Sequence, residues 1–278
     1  MLPQKILEQI EALLRSFFWT GIQMKTSGTK VAWNGACCPK DEGGLGFRVL
    51  KDWNKATMTK HLCAIALKVD TLWVKWIHTY IIRDHCLWHI PIPASASWTI
   101  RKLCKLRSLV HPWITHVVGN GKNTFLWLDN WHPLGPLFAR FGSRVVYNLG
   151  RNLHAKIDTV IANHSWHWPR CRNAVTQDIL RATPSNFVPH PSQEDAVIWK
   201  LTSNNQFFIK SARNAIRREH PKITWYKIIW FKHSVPRWSI IQWLANQRRL
   251  ATKDRLLKWG MAMDDQCACP VLCCSGNP

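Results

Sequence analysis

A helix-rich α+β fold, made of helical blocks with two small β-hairpins and no large sheet, is what the sequence predicts. Three observations lead there. Apolar residues recur at helical spacing in several long stretches. Two short pairs of apolar segments flank polar turns. A content of 46% apolar and 19% charged residues over 278 positions is that of a globular chain.

The elements follow in order. Ile6, Ile10, Leu13, Leu14, Phe17 and Phe18 lie at helical spacing and end near Gly21. Lys5, Glu8, Glu11 and Arg15 interrupt them, which marks an amphipathic helix and not an export signal. The segment 39–46 reads Pro-Lys-Asp-Glu-Gly-Gly-Leu-Gly. It lacks the residue order of a phosphate-binding loop and no apolar strand leads into it, so it reads as a tight turn. Helices are expected over 49–69 and 71–82, the second with Trp73, Trp76, Ile77 and Tyr80 on one face. Ser97 is placed to cap a helix to about Leu109, with Arg101, Lys102, Lys105 and Arg107 outward. Residues 114–118 and 124–128 flank Gly119-Asn-Gly-Lys-Asn123, a hairpin pattern. A less periodic stretch rich in Pro, Asn, His and Arg follows, with one short helix near 173–182. Residues 196–199 and 206–209 flank Ser203-Asn-Asn205 as a second hairpin, and Ser211 is placed to cap a helix to about Glu219. Helices over 223–231, 236–247 and 252–259 complete the chain, with Pro236 at a first helical position and Thr252 as a cap. Four stretches result: a helical region 1–93, a helix plus hairpin 94–145, a connector 146–194 and a last domain 195–278.

Charge points to a partner. Lys and Arg number 38 against 16 Asp and Glu, a formal net charge of +22. The excess is not a tail: residues 1–90 hold 12 basic and 7 acidic, 91–190 hold 12 and 3, and 191–278 hold 14 and 6. Self-repulsion on that scale is relieved by phosphates, so RNA or DNA is the expected partner. Arg213, Arg217, Arg218 and Lys222 cluster near one expected helix; Arg248, Arg249, Lys253, Arg255 and Lys258 cluster near another. Most of the 18 Trp are expected in the core. No stretch is apolar enough to cross a membrane. Ten cysteines without an export signal indicate a reducing compartment, nucleus or cytoplasm.

Catalytic residues are not expected. No nucleophile elbow, metalloprotease motif or dinucleotide fingerprint occurs, and the acidic residues form no converging set. Met263-Asp264-Asp265 sits in a polar link after a helix, without the hairpin and third Asp of a polymerase site. Cys267, Cys269, Cys273 and Cys274 are zinc-ligand types, but all four lie within eight residues and two are adjacent, which is awkward for a tetrahedron. His164, His167 and Cys171 have ligand-like spacing without an obvious fourth ligand.

Together these pieces resemble one family. Val31-Ala-Trp33, Pro39-Lys-x-x-Gly-Gly-Leu-Gly46 and Asn54-Lys-Ala are similar to the region just beyond the polymerase in plant LINE-type (non-LTR) retrotransposon polyproteins. So are Trp73-Val-Lys-Trp76, Ser97-Trp98, Val118-Gly-Asn-Gly121 with Phe125, Trp127, Asp129 and Trp131, and Gly135-Pro-Leu137. From about Asp195 the chain resembles the reverse-transcriptase zinc-binding domain of those elements, through Trp199, Phe207, Lys210-Ser-Ala212, Trp225, Ile229-Trp230, Pro236-Arg237, Trp243-Leu-Ala245, Arg249-Leu250, Thr252, Asp254-Arg255-Leu256 and Trp259-Gly260. The resemblance implies a zinc site begun by Cys269 and Cys273 and completed by a His and a Cys further on. Here those two cysteines stand three residues apart where the family has two, and the sequence stops at Pro278, so a truncated domain with an incomplete site is expected and no cofactor with it. Cys63 stands where the family usually has Trp. Polymerase, endonuclease and ribonuclease H parts are missing from the sequence, so a non-catalytic, nucleic-acid-binding piece of a retrotransposon polyprotein is expected. The alternative is a decayed retroelement reading frame with no selected function.

Overall fold

The computed structural model describes residues 2–23, 29–163, 165–169, 173–184 and 192–250, with 252 and 260. Helices α1 (Gln4–Thr20), α2 (Trp33–Cys37), α3 (Leu50–Ala66) and α4 (Leu72–Ile77) come first, α4 running into a π-helical turn, His78–Ile82. Helix α5 (Trp98–Val110) leads into strand β1 (Ile114–Val117). Then come α6 (Leu137–Phe141), α7 (Ser143–Asn148), the two-residue strands β2 (Ile161–Ala162) and β3 (Ser165–Trp166), and α8 (Ala174–Ala182). Strand β4 (Ala196–Trp199), α9 (Ile209–Ile216), α10 (Tyr226–Ile229) and α11 (Pro236–Asn246) follow. Among the described residues β1 pairs with β4 and β2 with β3, both antiparallel, so the helix-rich α+β class holds with no large sheet. No described helix is long and apolar enough to cross a membrane.

The chain divides into two compact units, residues 1–2 with 51–218, and 3–50 with 219–278. The first has two cores. In one, α3 supplies Ala56, Met58, Leu62, Cys63 and Ile65, and Leu103, Val110, Ile114, Trp199 and Ala212 pack with them. Ser97 caps α5 as expected, its Oγ accepting from Ile100 N–H (3.4 Å), and the structure adds Asn173 as the cap of α8, its Oδ1 accepting from Val175 N–H (3.1 Å). Helix α4 departs from expectation. Two faces one residue apart both have helical spacing, and the aliphatic one, with Val74 and Ile77, is buried, leaving Trp73, Trp76 and Tyr80 at 37%, 45% and 61% exposure.

Neither hairpin forms where its turn suggests. Strand β1 pairs with β4, in register Ile114↔Trp199 to Val117↔Ala196. Residues 124–130 are all buried, so they have no solvent face to alternate with, as an isolated hairpin would need. They turn instead against 155–157, with Leu126 N–H donating to Ala155 O (2.9 Å) and Ile157 N–H to Thr124 O (3.1 Å). The residues after β4 likewise run into α9 rather than a returning strand. Ser211 is not the cap of that helix. Its hydroxyl accepts from the Trp199 indole (2.9 Å) and donates to Phe208 O (2.7 Å). The described residues of the stretch expected as a connector give Leu149, Ile157, Val160 and Ile179 to the second core around Leu126, Trp127 and Leu137.

The second unit is built around the turn at 39–46. Gly43 has φ 92, and a Cβ on Gly44 would lie 1.9 Å from Cys38 O, so this turn needs its glycines. Trp243, fully buried on α11, donates its indole N–H to Gly43 O (2.8 Å), and Gln247 Nε2 donates to the same carbonyl (3.1 Å). Ala36, Ile229, Trp243 and Leu244 form the core. Pro236 occupies the first turn of α11, as expected. Of the apolar face of α1, Leu7 is buried while Leu13, Leu14 and Phe17 are 43–56% exposed. The expected helix over 252–259 lies outside the described residues apart from Thr252.

Candidate nucleic-acid interface

The expected basic residues fall in both units. Arg213, Arg217 and Arg218 belong to the first, Lys222, Arg248 and Arg249 to the second. On α9, Arg213 is half-buried, with a buried Nε that has no hydrogen-bond partner; Arg218, just beyond, is exposed. Lys222 is exposed and its Nζ lies 4.0 Å from Asp41 Oδ2. Arg248 and Arg249 close α11: Arg248, at φ 53, donates its N–H to Ala245 O and Arg249 N–H donates to Leu244 O, both at 2.8 Å. That is a Schellman pattern, and it places two cations where the helix dipole is negative. Lys253, Arg255 and Lys258 lie outside the described residues, as do Cys269, Cys273, Cys267 and Cys274, and His164 and Cys171. Among the described residues no group of three or more His, Cys, Asp or Glu could hold a metal ion.

A further basic face lies on α5. Arg101, Lys102 and Lys105 are exposed, and among the described residues none has a carboxylate partner. Arg107 turns inward and donates to Ile90 O. Lys102 Nζ sits 5.7 Å from the centroid of the exposed Trp98 ring, a cation beside an aromatic face of the kind that can meet a nucleic-acid strand.

Two carboxylates organise the first unit. Asp195, just before β4, receives the loop after β1: Oδ1 accepts from Gly119 N–H (2.7 Å) and Gly121 N–H (2.8 Å). Its Oδ2 accepts from Asn123 N–H and Thr124 Oγ1, both at 2.9 Å. A Cβ on Gly119 would lie 2.3 Å from Gln193 O, so only glycine allows this approach. Burial opposes ionisation of Asp195, but the four donors outweigh it and hold the carboxyl below its usual range. Asp129 is the second hub. Its Oδ2 accepts from Phe125 N–H (2.7 Å), its Oδ1 from the Cys86 thiol (3.4 Å), and His116 Nε2 lies 3.7 Å from Oδ1. Burial lowers the His116 pKa against the opposing pull of Asp129, so the contact is a neutral imidazole beside a carboxylate and not an ion pair. Asn130 binds β1 directly, its Nδ2 donating to Ile114 O (2.7 Å) and its carbonyl accepting from His116 N–H (2.8 Å).

Neither carboxylate is recognisable as a hub from the residues around it. The Gly-Asn-Gly turn was a visible signal, but nothing local says that its amides serve a residue more than 70 positions away. The carboxylate oxygens are occupied by chain donors, so what the arrangement does chemically is hold loops in place.

Comparison with known proteins adds a lineage. Residues 207–276 match the family described as zinc-binding in reverse transcriptase. The chain is 27% identical, over 287 aligned positions, to an Arabidopsis thaliana protein provisionally named a ribonuclease H protein; the match covers 96% of this chain and 44% of that protein. It is also 27% identical over 141 positions to an uncharacterized mitochondrial protein of Arabidopsis thaliana, covering 49% of this chain and 92% of that protein. No solved structure matches.

Proposed function

This chain belongs with the plant retrotransposon polyproteins and carries their reverse-transcriptase zinc-binding domain at residues 207–276, and from that premise we propose that it is a non-catalytic, LINE-type segment that binds RNA or DNA through phosphate contacts. One observation carries the reading: a net charge of +22, with basic side chains exposed on α5, beyond α9 and at the end of α11. Lys and Arg on such faces gain affinity by releasing counterions from the phosphate backbone. A non-catalytic role fits the carboxylates, since Asp129 and Asp195 are occupied by chain donors rather than converging on a common point. Zinc is expected at well below one per chain. Cys269 and Cys273 supply two ligands, and Cys267 and Cys274 crowd the same eight residues.

Fluorescence anisotropy with single-stranded RNA, single-stranded DNA and duplex DNA of unrelated sequences tests the binding. The reading expects affinities within about tenfold of one another, since phosphate contacts carry no base information. Mg²⁺-dependent cleavage of an RNA–DNA hybrid, or primer extension lost on Asp265→Asn, would overturn the non-catalytic role. One zinc per chain retained through dialysis would overturn the expectation on metal.

A further inference from the structure

A polar cleft of about 340 Å³ opens in the first unit between the ends of α3 and the π-helical turn, the loop after β1, and the segment around Lys156. Lys68, Arg83, Lys122 and Lys156 line it, and among the described residues none of the four has a carboxylate within ion-pair distance. Two carboxylates share the lining, Asp84 and Asp129. Asp129 is already bound by the Phe125 N–H and the Cys86 thiol, so the cations outnumber the acidic charge that could answer them.

Lys156 is the inner member of the set. Its ammonium sits 3.3 Å from the centroid of the Phe125 ring and 3.5 Å from Asn123 O. Burial, opposed by Asp129 and reinforced by Lys68, pushes its pKa down. Lys68 and Arg83 are both held at positive φ, 50 and 52, a backbone conformation that side-chain-bearing residues adopt at a cost. Because Lys156 covers the Phe125 face, that ring is not offered to a base. What remains is a charged recess, at the small end of the range for ligand pockets, roughly 300–1,000 Å³.

We propose that this cleft binds a phosphate group of an RNA or DNA strand, with Lys68, Arg83, Lys122 and Lys156 as its ligands. The proposal rests on the nucleic-acid reading above and gives that reading a defined contact made by residues other than those of the α9 and α11 clusters. The contact is to the backbone, so it positions a strand without reading its sequence.

The test compares two double variants with equal loss of charge. Lys122→Gln with Lys156→Met alters the cleft, the methionine keeping an apolar stem against Phe125. Lys51→Gln with Lys60→Gln alters two exposed positions on α3 that have no part in the cleft or the basic faces described above. Binding of a single-stranded DNA 20-mer is measured across salt concentrations, and thermal melts are run with and without inorganic phosphate. The cleft variant is expected to bind about tenfold more weakly than the α3 variant, and to lower the salt slope by about 1–2 units relative to wild type. Inorganic phosphate is expected to raise the melting temperature of wild type and of the α3 variant, but not of the cleft variant. If the double cleft variant fails to fold, Lys122→Gln alone, at an exposed position, is compared with Lys51→Gln alone. Equal binding by the cleft and α3 variants, with wild type binding well, would overturn the cleft and leave the function standing. Cleft-dependent protection by phosphate with unchanged DNA binding would also overturn it, by assigning the cleft to a free phosphate compound. Wild type that binds no DNA at low salt would overturn the proposed function itself, and with it the strand as the cleft's ligand.

Discussion

The two units close long excursions of the chain by different chemistry. In the first, a carboxylate does it: Asp195 gathers the amides of Gly119, Gly121 and Asn123 across separations of 72–76 residues. In the second, a buried neutral ring does it. Trp243 reaches the Gly43 carbonyl across 200 residues, and the indole fills the core while its N–H satisfies the turn. A closure made of charge is sensitive to protons; one made of buried area is sensitive to volume. The same chain therefore carries two halves with different vulnerabilities.

Truncation of the ring is expected to have the largest effect. Trp243→Ala should cost about 3–5 kcal/mol, because it empties a fully buried indole site and removes a donor from Gly43 O. Chemical denaturation monitored by tryptophan fluorescence, with residues of each unit followed by hydrogen exchange, checks that the loss falls on the second unit. Loss of protection spread equally over both units would break the contrast.

Acid should act on the first unit. His111 and His132 are both pushed down to about 4, in each case chiefly by burial. They are neutral in the fold, whereas the unfolded chain takes up protons near the ordinary value of 6.5. Their contribution is fully present above about pH 6.5, declines as pH falls, and is gone once pH has passed through about 4. The Asp195 contribution is present above the ordinary 3.8 and is lost as pH falls through its lower folded value. Each ring should cost about 2 kcal/mol on acidification, so urea melts should show the first unit losing about 4 kcal/mol between pH 7 and pH 4.5. Stability independent of pH over that range would contradict the burial of these rings.

A smaller effect is expected from Asp195→Ala, about 2 kcal/mol, since three amides lose their acceptor but part of the loop can turn to water. Backbone exchange should rise at Gly119, Gly121 and Asn123 while α11 is unaffected. Unchanged protection in that loop would remove the charge-based half of the comparison.

Much of the framework was legible because it is local. The helices α1, α3 and α11, the cap Ser97, Pro236 and the glycines of the 39–46 turn all depend on signals within a few residues. What was not legible acts at a distance. Residues 119–123 carry hairpin chemistry, yet their amides are taken by Asp195, and β1 finds its partner about 80 positions later. On α4, Val74-Ile77 and Trp73-Trp76-Tyr80 are equally periodic, and only packing chooses between them. The cleft cations stand singly at 68, 83, 122 and 156, so no run of charge announces them. Of the expected site residues, Arg248 and Arg249 have a local role at the end of α11, and Arg213 is half-buried; neither fact is visible in a count of charge.

If the basic surface serves nucleic-acid phosphates, binding must weaken as salt rises. Affinity for a single-stranded RNA of arbitrary sequence is measured from low to physiological salt. Log affinity is expected to fall linearly with log salt, with a slope of about −3 to −6. Binding that is flat in salt, or undetectable at the lowest salt, would contradict it.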